Sequence, residues 1–181
     1  AVPVDRMVAE YLRGLGNPFS LGPTLLASLS FKDVWPTGES RKVVGADVAE
    51  AEGVTGKGVA VAILDTGFDP GTIQHPGLTG ESMVTGEPLF LDNNGHGTHV
   101  ATTVAGQPFQ HYYGLLKGVA PGAKLVIIKC LGYVIGAGST SDILAAMERA
   151  AQLGANVVNM SLGGEDETDP EAPFFRGVRM L

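Results

Sequence analysis

The sequence is short of cysteine, of charge and of long apolar runs, and each shortage excludes a class of protein. Cys130 is the one cysteine among 181 residues, so internal disulfide bonds cannot stabilise the chain. No apolar run is long enough to cross a membrane. With 12 basic and 19 acidic residues the net charge is −7, which argues against nucleic acid or an anionic membrane surface as a partner.

Small and apolar residues are abundant. Glycine occupies 26 positions and hydrophobic residues make up 44% of the sequence, whereas charged residues make up 17%. This composition favours a tightly packed α/β core over disorder, and the length suits one domain or most of one. Cys130 closes the apolar run 125–130, so we expect it to be a buried structural thiol.

Strands and helices are predicted to alternate after residue 58. The predicted strands are residues 59–64, 125–130 and 157–160, and the predicted helices are residues 96–105 and 140–153. Asn93 or Asn94 is the expected cap of the first helix, while Ser139 begins the second and Gly154 ends it. This alternation predicts an α/β fold of three layers with a parallel sheet.

Two stretches fall outside this alternation. Residues 1–42 contain several chain breakers and match no motif, so we assign them to an N-terminal extension and residues 43–181 to the main domain. Residues 169–171 predict the start of a helix whose apolar face is Phe174, Phe175, Val178 and Leu181. Because nothing in the sequence covers this face, we expect an incomplete sheet that associates with a C-terminal fragment of the protein or with another copy.

Asp65 and His96 are the candidates for catalysis. Asp65 ends an apolar run, where a carboxylate is costly to bury without hydrogen-bond partners. His96 opens the first predicted helix, and Gly95 and Gly97 leave room for another chain to approach it. A carboxylate on the imidazole Nδ1 would favour the tautomer that leaves Nε2 able to accept a proton. The simpler explanations are a turn aspartate at a strand end and a helix-capping histidine.

A metal site is a second explanation of this histidine. His99 lies three residues after His96, so the two imidazoles share part of a helix face and could bind zinc. No glutamate or cysteine stands in register with them nearby, which makes the metal the weaker hypothesis.

Ser161, Leu162 and Gly163 follow the third predicted strand. Small residues after a buried strand let another backbone approach, and an exposed edge there can pair with an extended peptide. The simpler explanation is an ordinary exit from strand to loop. Ser161 is not assigned as a nucleophile, because nothing in the sequence places a base beside it. Since sites in parallel sheets lie beyond the carboxyl ends of the strands, Asp65, His96 and Ser161 are expected at one edge.

Four segments resemble, in order, the motifs of the subtilisin-like serine proteases, the subtilases. They are residues 61–67, 94–101, 118–121 and 158–164, and the resemblance covers about residues 43–164. It implies that Asp65 orients and stabilises the base and that His96 is the general base and acid. It also implies that Ser161, Leu162 and Gly163 line the cleft for a polypeptide substrate, and that the protein acts outside the cell or at its surface.

The chain departs from the family pattern in two ways. The family's nucleophile motif and its oxyanion-binding asparagine would both lie beyond Leu181. Gly77 stands where the family often has an aspartate that binds calcium, so calcium, the one cofactor that the resemblance suggests, is left unassigned.

The leading prediction from the sequence is a serine endopeptidase with an Asp-His-Ser triad whose serine lies outside this chain. The chain alone is then expected to be inactive, because members of a triad act together. The alternative is a catalytically inactive fragment that binds peptides or takes part in assembly.

Overall fold

The computed structural model describes residues 36–71, 75–111, 114–132, 135–164 and 169–181. Residues 36–181 form one compact unit. Most of the predicted N-terminal extension lies outside the described residues. The boundary predicted between residues 42 and 43 falls inside a helix of the compact unit, Thr37–Val43.

The elements in chain order are α1 (Thr37–Val43), α2 (Ala46–Ala51), β1 (Ala60–Asp65), β2 (Leu78–Ser82), α3 (His96–Ala105), β3 (Phe109–His111), β4 (Gly114–Leu116), β5 (Lys124–Lys129), α4 (Thr140–Gln152), β6 (Val157–Asn159) and α5 (Pro173–Met180). The three strands and two central helices that the sequence predicts are all present. Among the described residues, no helix combines the length and the apolar character needed to cross a bilayer.

A parallel sheet of four strands forms the centre of the fold, in the order β2-β5-β1-β6. β1 is paired on both sides, so that Asp65 lies opposite Lys129 of β5 and Ile63 lies opposite Asn159 of β6. β2 is absent from the sequence-based prediction because its residues, Leu-Thr-Gly-Glu-Ser, are largely polar and partly exposed. β3 and β4 form a separate antiparallel pair, which the sequence analysis also missed.

Helices cover both faces of this sheet. Ala62 and Leu64 of β1 belong to one buried cluster with Ala146, Met147 and Ala150 of α4. Val61 and Ile63 point the other way and join Ala101 and Ala105 of α3 in a second cluster. Alternate residues of one strand thus face opposite helical layers, which confirms the predicted three-layer α/β fold with a parallel sheet.

The ends of α4 match the prediction, and the start of α3 does not. Ser139 Oγ accepts a hydrogen bond from Asp142 N at 3.1 Å, and Gly154 follows α4 with φ of +72°. α3 has Gly95 at its N-cap, in the left-handed conformation, and no side-chain cap. Asn94 Oδ1 only accepts a hydrogen bond from His96 N at 3.3 Å, so the expected asparagine cap was wrong.

The last helix also differs from its prediction. It begins at Pro173 rather than at residues 169–171. In that segment Glu171 N donates to Asp169 Oδ1, and Ala172 N donates to the carbonyl oxygen of Asp169. Phe174 packs against the cluster under α4, so the apolar face is partly covered by the chain itself. Val178 is still 40% exposed.

A buried arginine attaches the N-terminal helices to the rest of the fold. Arg41 of α1 is only 3% exposed. Its guanidinium donates hydrogen bonds to the carbonyl oxygens of Gly118, Val119 and Ala46 and to the carboxylate of Glu50, which also binds Lys117. A charge this deeply buried is tolerated because its donors are matched with acceptors.

Replacing Arg41 should therefore destabilise the fold far more than replacing its neighbour. Arg41→Ala leaves buried carbonyl oxygens and Glu50 without their donor, and the free energy of unfolding should fall by about 3–5 kcal/mol. Lys42→Ala is the matched control, because Lys42 makes an exposed ion pair with Glu39 and should cost about 0.5 kcal/mol or less. Urea unfolding measures both variants, and equal shifts would contradict this account of Arg41.

Candidate active site

The carboxylate of Asp65 lies in the interior of the protein. It is the last residue of β1 and its side chain is fully buried. Oδ1 accepts a hydrogen bond from Thr66 N at 2.7 Å, and the two carboxylate oxygens lie 2.8 and 3.0 Å from Nδ1 of His96. These donors replace the water that the carboxylate loses on burial.

His96 is held at the first position of α3, with its side chain 47% exposed. Nδ1 of the ring therefore contacts the buried carboxylate of Asp65, while another part of the ring is exposed to solvent. A hydrogen bond from Nδ1–H to Asp65 favours the tautomer in which Nε2 carries the lone pair. The arrangement can accept a proton at Nε2 and stabilise the resulting positive charge.

One of the two glycines beside His96 serves a different purpose from the one that the sequence suggested. Gly97 is buried, and a Cβ atom there would lie 2.3 Å from the carbonyl oxygen of Gly67. Gly97 thus lets the start of α3 approach the turn after β1, so the expectation that it leaves space for another chain was wrong. Gly95 is exposed with open space around it, and its φ of +84° is a conformation that favours glycine.

Asp92 is a functional candidate that the sequence analysis missed. It is 8% exposed and accepts hydrogen bonds from Thr66 Oγ1, Gly95 N, Thr98 N and Thr98 Oγ1. Burial by itself would raise the pKa of Asp92, but these hydrogen bonds together outweigh it and hold the pKa below its usual value. The available signal was an acid four residues before the glycine-flanked histidine, in the loop that leads into α3.

A cleft of about 410 Å³ brings the predicted site residues together. Its lining residues are Thr66, Asn94, His96, Leu131, residues 135–138, Ile143, Ser161, Leu162 and Gly163. Asp65, His96 and Ser161 thus lie at one edge of the sheet, as the topology predicts. Ser161 Oγ donates to Asn159 Oδ1 at 3.0 Å, so its hydroxyl is engaged with an amide.

Metal ligands are not clustered in the part of the chain that the structure describes, where no group of three or more His, Cys, Asp or Glu side chains is placed to hold an ion. His99 is exposed on α3, while Nδ1 of His96 is engaged with Asp65. The expectations from the sequence, calcium unassigned and zinc the weaker hypothesis, stay predictions.

Cys130 lies directly behind the candidate site. Its side chain is fully buried, which confirms the expected structural thiol, and its N–H donates to the carbonyl oxygen of Asp65 at 2.9 Å. Burial, and then the nearby negative charges of Asp65 and Asp142, raise the pKa of Cys130 to about 12.

Cys130 should therefore resist alkylation in the native protein. At pH 8 only about one thiol in ten thousand would be ionised, and the thiolate is the form that reacts. Iodoacetamide at pH 8 should leave the folded chain unmodified for hours and label it stoichiometrically in urea, as measured by intact mass. Rapid labelling of the native chain would contradict the burial of this thiol.

Comparison with known proteins places these features in a family. Residues 56–176 match the profile of the Subtilase family. The chain is 47% identical over 131 residues to Subtilisin Savinase of Lederbergia lenta, covering 71% of this chain and 45% of that protein. It is also 47% identical over 131 residues to an alkaline protease of Alkalihalobacillus alcalophilus, covering 71% and 32%.

A more distant relative is the major intracellular serine protease of Bacillus subtilis strain 168, 37% identical over 146 residues, which are 75% of this chain and 43% of that protein. The chain thus spans less than half the length of each of these relatives. Because the family profile matches two thirds of the chain and includes both Asp65 and His96, the chain belongs to the subtilase family.

Proposed function

We propose that the chain contributes the acid–base pair and part of the substrate cleft to a serine endopeptidase. The observation that carries this proposal is the hydrogen-bonded pair of His96 and fully buried Asp65, at the mouth of a cleft. The subtilase membership of the chain supports the same chemistry, and relatives of this chain are named as proteases.

In the proposed reaction His96 acts first as a base and then as an acid. Nε2 takes the proton of a serine hydroxyl that lies outside this chain, while that oxygen attacks the carbonyl carbon of a peptide bond. The imidazolium then protonates the departing amine, and an acyl-enzyme is left for water to hydrolyse by the same steps. Asp65 keeps the ring oriented and stabilises its positive charge, for which its full burial is suited.

The proposed substrate is a polypeptide bound in extended form. Ser161 and Gly163 are exposed, and Gly163 has open space around its Cα, so a second backbone can come close. The segment lies across the cleft from His96. Main-chain hydrogen bonds to such an edge would hold a peptide largely independently of its sequence.

The rest of the catalytic site is proposed to come from a further part of the protein, and self-association is the alternative way to cover the open edge of the sheet. β6 ends the order of the four-stranded sheet, and Val157 on it is 51% exposed. An added strand would cover this edge. We also propose that the protein acts outside the cell, as the resemblance implied.

His96→Ala should abolish peptide hydrolysis in the chain combined with its serine-bearing part. The turnover number should fall by about 10⁵-fold, because triad members act as one unit, and Asp65→Ala should cost somewhat less. The measurement is kcat on a chromogenic peptide. His99→Ala is the matched control, since His99 is an exposed histidine on the same helix and should keep near-full activity. Near-full activity in His96→Ala would end the assignment.

The 181-residue chain by itself should not react with a fluorophosphonate serine probe. Ser161, which lines the cleft, has its hydroxyl bonded to Asn159 Oδ1, an amide oxygen that cannot serve as a strong base. Labelling is followed by intact mass, with the serine-bearing combination as the positive control. Stoichiometric labelling of the pure chain that disappears in Ser161→Ala would show that the nucleophile lies within this chain.

A further inference from the structure

The carboxylate of Asp92 is saturated with hydrogen bonds. Oδ1 accepts from Thr66 Oγ1 at 2.8 Å and from Gly95 N at 3.0 Å, and Oδ2 accepts from Thr98 N at 2.8 Å and from Thr98 Oγ1 at 2.6 Å. Asp92 itself is nearly buried. A buried carboxylate with four donors has a single well-defined position, because any rotation would break several bonds at once.

The donors come from the neighbours of both members of the catalytic pair. Thr66 directly follows Asp65, whereas Gly95 directly precedes His96. Thr66 Oγ1 also accepts a hydrogen bond from Gly97 N at 2.9 Å, so the threonine hydroxyl joins the turn after β1 to the first turn of α3. The side chain of Asp92 thus connects the backbone that carries Asp65 to the backbone that carries His96.

We infer that Asp92 is a positioning residue for catalysis: through Thr66 and Gly95 it sets the orientation of His96 relative to Asp65. This inference rests on the proposed function of that pair. The contact between Gly97 and Gly67 sets how closely α3 approaches β1. A contact of this kind does little to stop α3 from shifting sideways relative to β1. The directional bonds of Asp92 supply the lateral restraint.

A simple helix cap would not show this arrangement. A cap bonds the amides at the start of its own helix, and Asp92 does so through Gly95 and Thr98. Its bond to Thr66 Oγ1 is different, because it reaches across to the end of another element and lies inside the protein. Thr66 is itself 1% exposed, so water cannot replace this bond.

The charge of Asp92 adds to its geometry. The N-terminus of α3 carries a partial positive charge, and the carboxylate of Asp92 accepts hydrogen bonds from Gly95 N and Thr98 N there. Its negative charge therefore stabilises the start of the helix on which His96 lies.

Asp92→Asn tests the inference in the active combination of the chain with its serine-bearing part. The amide keeps the shape of the side chain but replaces one acceptor oxygen by a donor, so that two of the four bonds are lost. We expect kcat to fall about 10- to 100-fold and KM to change by less than about twofold, because a misplacement of about 1 Å near a reacting group costs rate rather than binding.

A spectroscopic signature separates positioning from general stability. The Nδ1–H proton of His96, bonded to Asp65, should give a low-field NMR signal in the native protein, and in Asp92→Asn this signal should move upfield or exchange away while the rest of the spectrum stays native. Asp69→Asn removes the same charge nearby, at an exposed residue, and should leave both kcat and the signal unchanged.

Thr66→Val provides a second variant in case Asp92→Asn fails to fold. It removes the bond of Thr66 Oγ1 to Asp92 together with the bond that Thr66 Oγ1 accepts from Gly97 N, but it leaves the bonds of Asp92 to Gly95 and Thr98. It should therefore lower kcat in the same way, and Thr66→Ser, which keeps the hydroxyl, should restore it. If the folded fractions of Asp92→Asn and Thr66→Val keep native kcat and the native signal, the inference is wrong. The proposed function has a separate test, since it fails only if His96→Ala retains activity.

Discussion

The burial of β1 from Val61 to Asp65 is the constraint on which the rest of the structure depends. The strand is paired with β5 on one side and β6 on the other, and α3 and α4 cover its two faces. Asp65, at the end of this strand, is therefore cut off from water. A carboxylate in that position is stable only with donors of its own, and the imidazole of His96 supplies the most important one.

The position of His96 follows from how closely two pieces of backbone meet. Gly67 after β1 and Gly97 in α3 come so close that a Cβ atom on Gly97 would overlap the carbonyl oxygen of Gly67. Asp92 then joins the two elements by hydrogen bonds that have direction as well as strength. Packing sets the distance between the strand and the helix, and buried polar groups set their relative orientation. Catalysis by a histidine needs both to be correct.

Local patterns predicted a large part of this fold and of its site. The apolar runs of β1 and β5 are long enough to identify as buried strands, and β6 follows from a shorter apolar run. The apolar spacing in α4 identifies a helix with its cap at Ser139. Once the strands are known to be parallel, the meeting of Asp65, His96 and Ser161 at one edge follows. β2 was missed because polar residues of a short strand give no periodic signal, although β5 pairs with it along its whole length.

The sequence by itself determined the family and the alternating strands and helices, and it supplied the two residues of the proposed catalytic pair, because these depend on neighbouring residues and on topology. Only the tertiary structure decided which polar groups are buried together. Asp92 and Thr66 are ordinary loop and turn residues, and Thr98 is an ordinary helix residue, until β1 and α3 approach each other. Arg41 is an ordinary helix arginine until Gly118 and Val119, far along the chain, cover it. Burial gives a polar side chain its role, and burial is a property of the folded chain.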